Sequence, residues 1–437
     1  MNAPSSPVFS NPIYASSQEA LAAAAALPLV LYGYPLIETL RTCRLQSTVQ
    51  SATAYGRAPV NTISASSRQW THEDRDIVTP ANDLLYLCAW IDLSQGPVRL
   101  HVPARPDARR YWVVELLDAY TENFENLGPR NVAADCDVVE LVGPGQTPTA
   151  KRFVSCPTSL VWLIGRVLVT GADDLPAAQA LASGFRLSGP AGSQPPSVRN
   201  WRETAEPGLD FFQNLFNGLR DFPVPEIHGP LLTLLRRCGV RMEKEVDVDT
   251  LRPAVQAGLI SAYQQGMQII EANMRNHSHA PWKYSLRLGI YGDEWLQRSV
   301  TAMKGLGALR ADEAVYVVAD YDAGGAPLHG NQTYTLTFPA GQLPPAQQFW
   351  SVSLYGDDRF FTDNAIGRYA IGDRTPGLQY GDDGSLTLTI SHQRPATGDS
   401  NWLPAPDGSF YLILRLYHPS SDFMAGGYDI PPVQRKA

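Results

Sequence analysis

The stretch TPANDLLYLCAWIDLSQGP, Thr79–Pro97, constrains the fold more than any other part of the chain. Leu85, Leu87, Ala89, Ile91 and Leu93 alternate with Tyr86, Cys88, Trp90 and Asp92. A period of two marks a strand, because successive side chains leave opposite faces. Here both faces carry bulk. One face packs into a sheet core, and the other needs a second cover, for which helices elsewhere in the chain are available. The polar pair Asn82–Asp83 stands at the strand entrance, either as a turn cap or as part of a site on the sheet rim.

Strand patterns continue beyond it. Val98, Leu100 and Val102 alternate with Arg99 and His101, and RRYWVVELLDAY, DVVELVG and LVWLIGRVLVTG follow, each bounded by Gly, Pro or Asp. Short strands at hairpin spacing predict an antiparallel sandwich. From residue 174 the period changes. Phe211, Phe212, Leu215, Phe216 and Leu219 form a helical stripe, as do Leu251, Val255, Leu259, Met267, Ile270 and Met274; Leu296, Val300 and Met303 mark a further helix ending near Gly305 and Gly307. After Ala314 strands return as AVYVVADYD, QTYTLTFP, FWSVSLYG, RYAI, SLTLTIS and FYLILRLYHP, with DDGS as a hairpin signal.

The N-terminal segment LAAAAALPLVLYGYPLIETL has the apolar character of a signal peptide but no preceding Lys/Arg cluster, and Glu19 stands where positive charge is expected. It predicts a core-packing helix from Gln18 to about Thr42, broken or kinked near Pro28 and Pro35. No membrane span is expected. The fold class expected is α+β: two antiparallel β-sandwich-like domains joined and flanked by a helical region. The divisions are a flexible arm over 1–24, an N-terminal sandwich with leading helix over 25–173, a helical linking region over 174–307 and a jelly-roll-like C-terminal sandwich over 308–437.

Composition narrows the partners. The 437 residues are 44% hydrophobic and 18% charged, so a packed core forms and global disorder is excluded. A net charge of -8, from 35 Lys+Arg against 43 Asp+Glu with no basic block, argues against nucleic acid. The five cysteines form no C-x-x-C pair, which points to reduced thiols and a cytoplasmic location. There is no G-x-S-x-G, no G-x-G-x-x-G and no phosphate-binding loop with Lys, which disfavours an ordinary esterase and nucleotide chemistry. A small-molecule ligand is the partner expected, and a homo-oligomer is left open.

Several stretches carry a family resemblance. YGYPL (Tyr32–Leu36), NDLLYLCAWIDLSQGPVRLHVP and RYWVVELLDAYTENFENLG resemble the bacterial family called domain of unknown function twelve-fifty-four. GIYGDEWLQRSVTAMKGLGAL, AVYVVADYDAGGAPLHGNQTYTLTFP, FWSVSLYG, DGSLTLTIS, NWLPAP and FYLILRLYHP resemble its usual companion, domain of unknown function twelve-fourteen. The resemblance covers most of the chain beyond residue 25. It implies two β-sandwich-like domains joined through helices, and no settled activity. One departure stands out. Relatives are expected to read Arg-Pro-Asn-x-Asp-Thr before the Tyr, whereas this chain reads Thr79-Pro80-Ala81-Asn82-Asp83-Leu84, without the Arg or the Thr.

Polar residues set into apolar strands are the candidate site. Asp83, Asp92 and Asp118 are candidate acid/base groups, with Glu115 close to Asp118 on a strand expected to neighbour that of Asp92. Each carboxylate is equally suited to capping a turn. Arg166 falls in register with Trp162, Ile164 and Leu168, and Arg415 with Ile413 and Tyr417. A charge among bulky apolar residues must be paired if buried, or else clamp an anion. Asn82, Tyr86, Trp350, Tyr355, Trp402 and Tyr417 are candidate binding residues, the aromatics as a platform for a ring or sugar. His277 and His279 form H-x-H, which suits a divalent metal, with third ligands conceivable from His72–Asp74, His228, His392 or His418; no organic cofactor is expected. The function expected is a small-molecule-processing enzyme, hydrolase or lyase, with its pocket at the domain junction. The alternative is a non-catalytic protein binding a carbohydrate or lipid-like ligand.

Overall fold

The computed structural model describes residues 12–54, 56–75, 77–104, 109–274 and 280–436. Its N-terminal sandwich holds β1 (Ser64–Ala65), β2 (Leu84–Asp92), β3 (Val98–His101), β4 (Trp112–Leu117), β5 (Asn123–Leu127), β6 (Val138–Val142), β7 (Phe153–Ser155), β8 (Leu160–Leu168) and β9 (Arg186–Ser188). One sheet runs in the order β1-β2-β8-β4-β5 and the facing sheet β7-β6-β3-β9. Leu85, Leu87, Ala89 and Ile91 of β2 pack between the sheets against Val98, Leu100, Val139 and Leu141.

The opposite face of β2 meets helices. The helices that precede the second sandwich are α1 (Pro12–Ser47), α2 (Leu175–Gly184), α3 (Pro196–Arg199), α4 (Pro207–Asp221), α5 (Thr233–Arg237), α6 (Pro253–Met274) and α7 (Trp295–Gly305), and all but α2, which packs with the sandwich interior, contribute to the cluster on this face. Cys88, Trp90, Trp162 and Ile164 share one buried cluster with Leu29, Leu36, Phe212, Phe216 and Leu259, so the two-sided bulk is satisfied on both sides. Trp90 and Trp162 are cross-strand partners with stacked rings 4.9 Å apart, and Gln46 of α1 accepts from Trp90 Nε1 at 2.9 Å. Each fully buried apolar side chain in such a layer contributes about 1.5–3 kcal/mol.

The expected break in α1 is absent. The helix begins at Pro12, inside the stretch expected as a loose arm, and runs unbroken through Pro28 and Pro35. Packing overrides the local signal. Gly258 and Gly266 of α6 let the helices approach so closely that a Cβ at either would lie 2.6 Å from the Cβ of Ala22 or 2.4 Å from Cγ1 of Val30. Pro35 lacks the N–H that would bond Leu31 O, and the Ser299 hydroxyl on α7 donates to that carbonyl instead. α1 is long and apolar enough to cross a membrane by length and composition, and its most apolar stretch is 61% buried against the rest of the chain.

The C-terminal sandwich holds β10 (Ala314–Ala319), β11 (Tyr334–Phe338), β12 (Ala346–Gly356), β13 (Ala370–Gly372), β14 (Leu386–Ser391), β15 (Trp402–Pro404), β16 (Phe410–Pro419), the short helix α8 (Ser421–Met424) and β17 (Gln434–Arg435). Its sheets are ordered β10-β16-β12-β13 and β15-β14-β11-β17. The class is therefore α+β, with strand regions at either end of a helical middle. The antiparallel rule gives way only for a short strand at one edge of each sandwich, since β6 pairs with β7 and β14 with β15 in parallel.

Candidate functional site

The two sandwiches meet through a hydrophobic seam in which Leu84, Tyr111, Val113 and Leu168 of the first pack against Leu309, Ala314, Phe349 and Tyr417. Polar clamps flank it. Asp83 Oδ1 accepts from Arg374 Nη2 at 3.0 Å and its Oδ2 from Ser351 Oγ at 2.7 Å, so Asp83 ties the sandwiches together rather than closing an Asx-turn. Glu313 accepts from the Tyr111 hydroxyl at 2.7 Å, contacts His418 Nε2 at 2.9 Å and pairs with Arg130. Burial pushes the Glu313 carboxyl up, but these partners outweigh it and hold it below the usual range.

Beside the seam lies a cleft of about 610 Å³. Three walls form it: Tyr86, Ile164 and Arg166 from the first sandwich, Tyr316, Tyr411, Ile413, Arg415 and Tyr417 from the second, and Val300 and Lys304 from α7. The segments 77–81 and 305–308 line it as well, as do Lys283, Tyr284, Ser285 and Leu288. The volume is that of a small-molecule site.

The two arginines differ. Arg166 is buried and donates through Nη1 to Glu115 Oε2 at 2.6 Å and through Nη2 to Gly307 O at 3.1 Å. Glu115 is fully buried and also accepts from Asn123 Nδ2 at 2.8 Å. Burial pushes its carboxyl up to about 7, with Arg166 pulling the other way. Arg415 is 2% exposed, and among the described residues no carboxylate lies within ion-pair distance of it. Its partners are neutral: Ser353 Oγ at 3.0 Å, Thr79 O at 2.8 Å, and the rings of Tyr355 and Tyr316 at 5.5 and 5.8 Å. An isolated buried cation is costly unless an anion joins it.

The segment that meets Arg415 is strained. Thr79 has φ 52° and donates its N–H at 2.9 Å to the carbonyl of Arg359, which itself has φ 70°. A β-branched residue at positive φ persists only where its surroundings hold it, and such residues gather at ligand sites.

The tyrosines supply hydroxyls. Tyr86 accepts from Ala81 N at 2.8 Å, and the buried Tyr411 hydroxyl has no partner among the described residues. Burial pushes the phenols of Tyr316 and Tyr355 up to about 12 and that of Tyr417 well above its ordinary value, so they stay protonated and act as donors rather than bases.

Of the residues singled out in the sequence, Tyr86, Arg166, Arg415 and Tyr417 come together in this cleft. Tyr355 stands behind it, its hydroxyl donating to Pro80 O. Trp350 packs inside the C-terminal core against Phe338, and Trp402 is buried with Nε1 donating to Ser391 O, so the proposed aromatic platform does not assemble. Asn82 donates to Trp70 O at 2.6 Å and does not line the cleft. Asp92 accepts from Ser94 N and Ser193 N at 2.9 and 3.0 Å, and Asp118 from Tyr120 N and Glu122 N at 2.8 and 2.9 Å. Asp118 organises a turn and Asp92 joins its own turn to the distant loop at Ser193, both away from the cleft, and β8 separates their strands, which were expected to be neighbours. Burial pushes the Asp118 carboxyl up to about 7. His277 and His279 lie outside the described residues; among those described, no group of three or more His, Cys, Asp or Glu is placed to hold a metal.

Lys283, Lys304, Tyr316, Asp320 and Tyr411 also line the cleft, and sequence reading missed them. Tyr411 shares the alternation of Ile413, Arg415 and Tyr417, which is a signal that could have found it. Lys304 carries no comparable mark beyond its place near the end of a helix.

Comparison with known proteins agrees with this architecture. A family model described as Protein of unknown function (DUF1254) matches residues 60–189, and another described as Protein of unknown function (DUF1214) matches residues 313–421. The crystal structure of the VPA0106 protein from Vibrio parahaemolyticus is similar at 22% identity with a TM-score of 0.68, covering 96% of this chain and 100% of that one, which speaks for the fold alone. An uncharacterized protein from Burkholderia cenocepacia aligns at 14% identity and a TM-score of 0.47, over 97% of this chain and 95% of that one. No curated protein matches the chain.

Proposed function

For this chain, which belongs to the family of unknown function in which a DUF1254 region is followed by a DUF1214 region, we propose that the junction cleft binds a small organic anion with an apolar or aromatic body. One observation carries the reading: Arg415 is a buried guanidinium without a carboxylate among the described residues, and it lines a cleft of about 610 Å³. Its hydrogen bonds to Ser353 and Thr79 commit only part of its five N–H donors. An incoming carboxylate or phosphate would supply the missing counter-charge, and the protonated tyrosines would donate to its remaining oxygens. Val300, Ile164 and Ile413 offer the body of the ligand an apolar surface.

The test is equilibrium binding of a matched panel: benzoate, phenylpyruvate and phenyl phosphate, each beside a neutral amide or alcohol of the same shape. The acids bind and the neutral analogues do not, and Arg415→Met abolishes that preference. Equal binding of acids and neutral analogues, or an unchanged preference in Arg415→Met, refutes the reading.

A hydrolase or lyase acting without an organic cofactor is the second reading, favoured by the presence of Lys304 and Asp320 in the same cleft. Acid/base work would then fall to these groups, since Asp83, Asp92 and Asp118 do not line it. Asp320 is paired with Lys283 at 3.3 Å, which leaves Lys304 as the more available of the two.

A further inference from the structure

Lys304 lies in the last turn of α7, half-buried, on the lining of the cleft that also holds Arg415. Among the described residues its side chain makes no hydrogen bond and no ion pair, and this sets it apart from Lys283, which is engaged with Asp320. The charged groups acting on it are Asp320, which favours the ammonium, and Lys283 and Arg359, which oppose it. Burial opposes the ammonium more than any of them, so the amine is held below the ordinary lysine range. A desolvated lysine beside other cations is the setting in which an amine becomes a nucleophile toward carbonyl compounds.

We propose, on the reading of the cleft as an anion site, that Lys304 is a reactive amine that condenses with the carbonyl of a small oxo acid bound in that cleft. The lone pair of Nζ attacks the carbonyl carbon, a C–N bond forms, and the carbonyl oxygen takes up a proton. The resulting carbinolamine loses that oxygen as water and becomes an imine. One amine and one carbonyl give one imine and one water, so no oxidant or reductant is required. Nζ gives up two protons along this path and the departing oxygen takes up two, so the proton count closes; the buried Tyr411 hydroxyl, without a partner among the described residues, is the hydrogen-bond donor that the lining offers to that oxygen. The imine then draws electrons from a bond on the adjacent carbon, which is the electron sink a lyase without an organic cofactor needs.

Phenylpyruvate is the probe, mixed with the full chain with and without sodium cyanoborohydride, followed by peptide mapping. The expected result is a reduced adduct on the peptide carrying Lys304, suppressed by excess phenyllactate, which has the same carboxylate and ring but no ketone. The trapping rate rises with pH and levels off below the ordinary lysine range. Lys304→Arg keeps the positive charge, so it retains phenylpyruvate binding and loses trapping; Lys304→Ala loses trapping as well. Binding of phenylpyruvate without any adduct on Lys304 makes the lysine a counter-ion, which overturns this proposal and leaves the anion site standing. Adducts spread evenly over surface lysines overturn it too. If neither phenylpyruvate nor the other anions bind, both readings fall together.

Discussion

The two mid-strand arginines respond differently to removal, and pH separates them. Arg166→Met leaves Glu115 buried without its cation. Burial already raises the Glu115 carboxyl from 4.5 to about 7 with Arg166 beside it. Stability associated with the neutral carboxyl is therefore complete below about pH 4.5 and is lost as pH rises through about 7 in the native protein. Without Arg166 the folded-state value climbs further, toward the 8–9 known for buried carboxyls. The variant goes on losing stability where the native protein has stopped, at about 1.4 kcal/mol per pH unit. The gap opens near pH 7 and reaches about 2 kcal/mol by pH 9, above a pH-independent loss of about 1 kcal/mol for the hydrogen bond to Gly307. Arg415→Met strands no carboxylate among the described residues. It removes a costly buried charge together with bonds to Ser353 and Thr79, contributions of similar size, so its stability stays within about 2 kcal/mol of native and the difference is flat with pH. Chemical unfolding followed by tryptophan fluorescence at pH 6, 7, 8 and 9 measures all three proteins. A gap for Arg166→Met that does not widen between pH 7 and 9 refutes the ionised Glu115–Arg166 pair. A widening gap for Arg415→Met refutes the claim that Arg415 has no carboxylate partner.

Other consequences are measurable in the same way. Asp83→Asn removes one of the two carboxylates paired with Arg374 and leaves it Asp373 at 3.0 Å, so the unfolding free energy should fall by about 1 kcal/mol, with ligand affinity in the cleft unchanged, because Asp83 clamps the seam and does not line the cleft. Thr79→Gly relieves a residue at φ 52° while both of its backbone hydrogen bonds remain, and a gain of about 1 kcal/mol in unfolding free energy is expected. Asp118 carries a carboxyl raised from 3.8 to about 7 by burial, so native stability declines as pH rises through that window; Asp118→Asn keeps one acceptor for the two turn N–H groups and makes the decline shallower.

The layering was legible in sequence because it rests on periodicity. Leu85 to Leu93 needed cover on both faces, and the structure puts the facing sheet on one and α1, α4 and α6 on the other. The continuity of α1 was not legible, since the donor that satisfies Leu31 O is Ser299, far along the chain. The carboxylates misled for a related reason. Asp92 and Asp118 end strands as expected, but their oxygens are spent on backbone N–H groups of their own turns and, for Asp92, of the distant Ser193, and nothing in a single sequence distinguishes such a carboxylate from one that faces a cleft. Lys304 went unnoticed because a lysine near a helix end is ordinary, and what makes it unusual is the company of Lys283, Arg359 and a tyrosine wall drawn from other elements.

Arg166 and Arg415 looked alike in sequence, each a charge inside an apolar strand, and the register explains why their roles diverge. On β4, Val113 stands opposite Arg166, and Glu115 is the diagonal neighbour on the same face, close enough to close an ion pair within one sheet. The first sandwich thus neutralises its own arginine before the second sandwich arrives. Arg415 stands between Tyr316 on β10 and Ser351 on β12, with Ser353 as its diagonal neighbour, and none of these carries charge. Its sheet gives it hydroxyls and rings but no anion. The seam brings only backbone from the other side, the carbonyl of Thr79, in a segment bent into positive φ to reach it. Two sheets and a helix therefore enclose a cation that the described residues do not neutralise, and on the proposed reading a ligand carrying the opposite charge completes the arrangement.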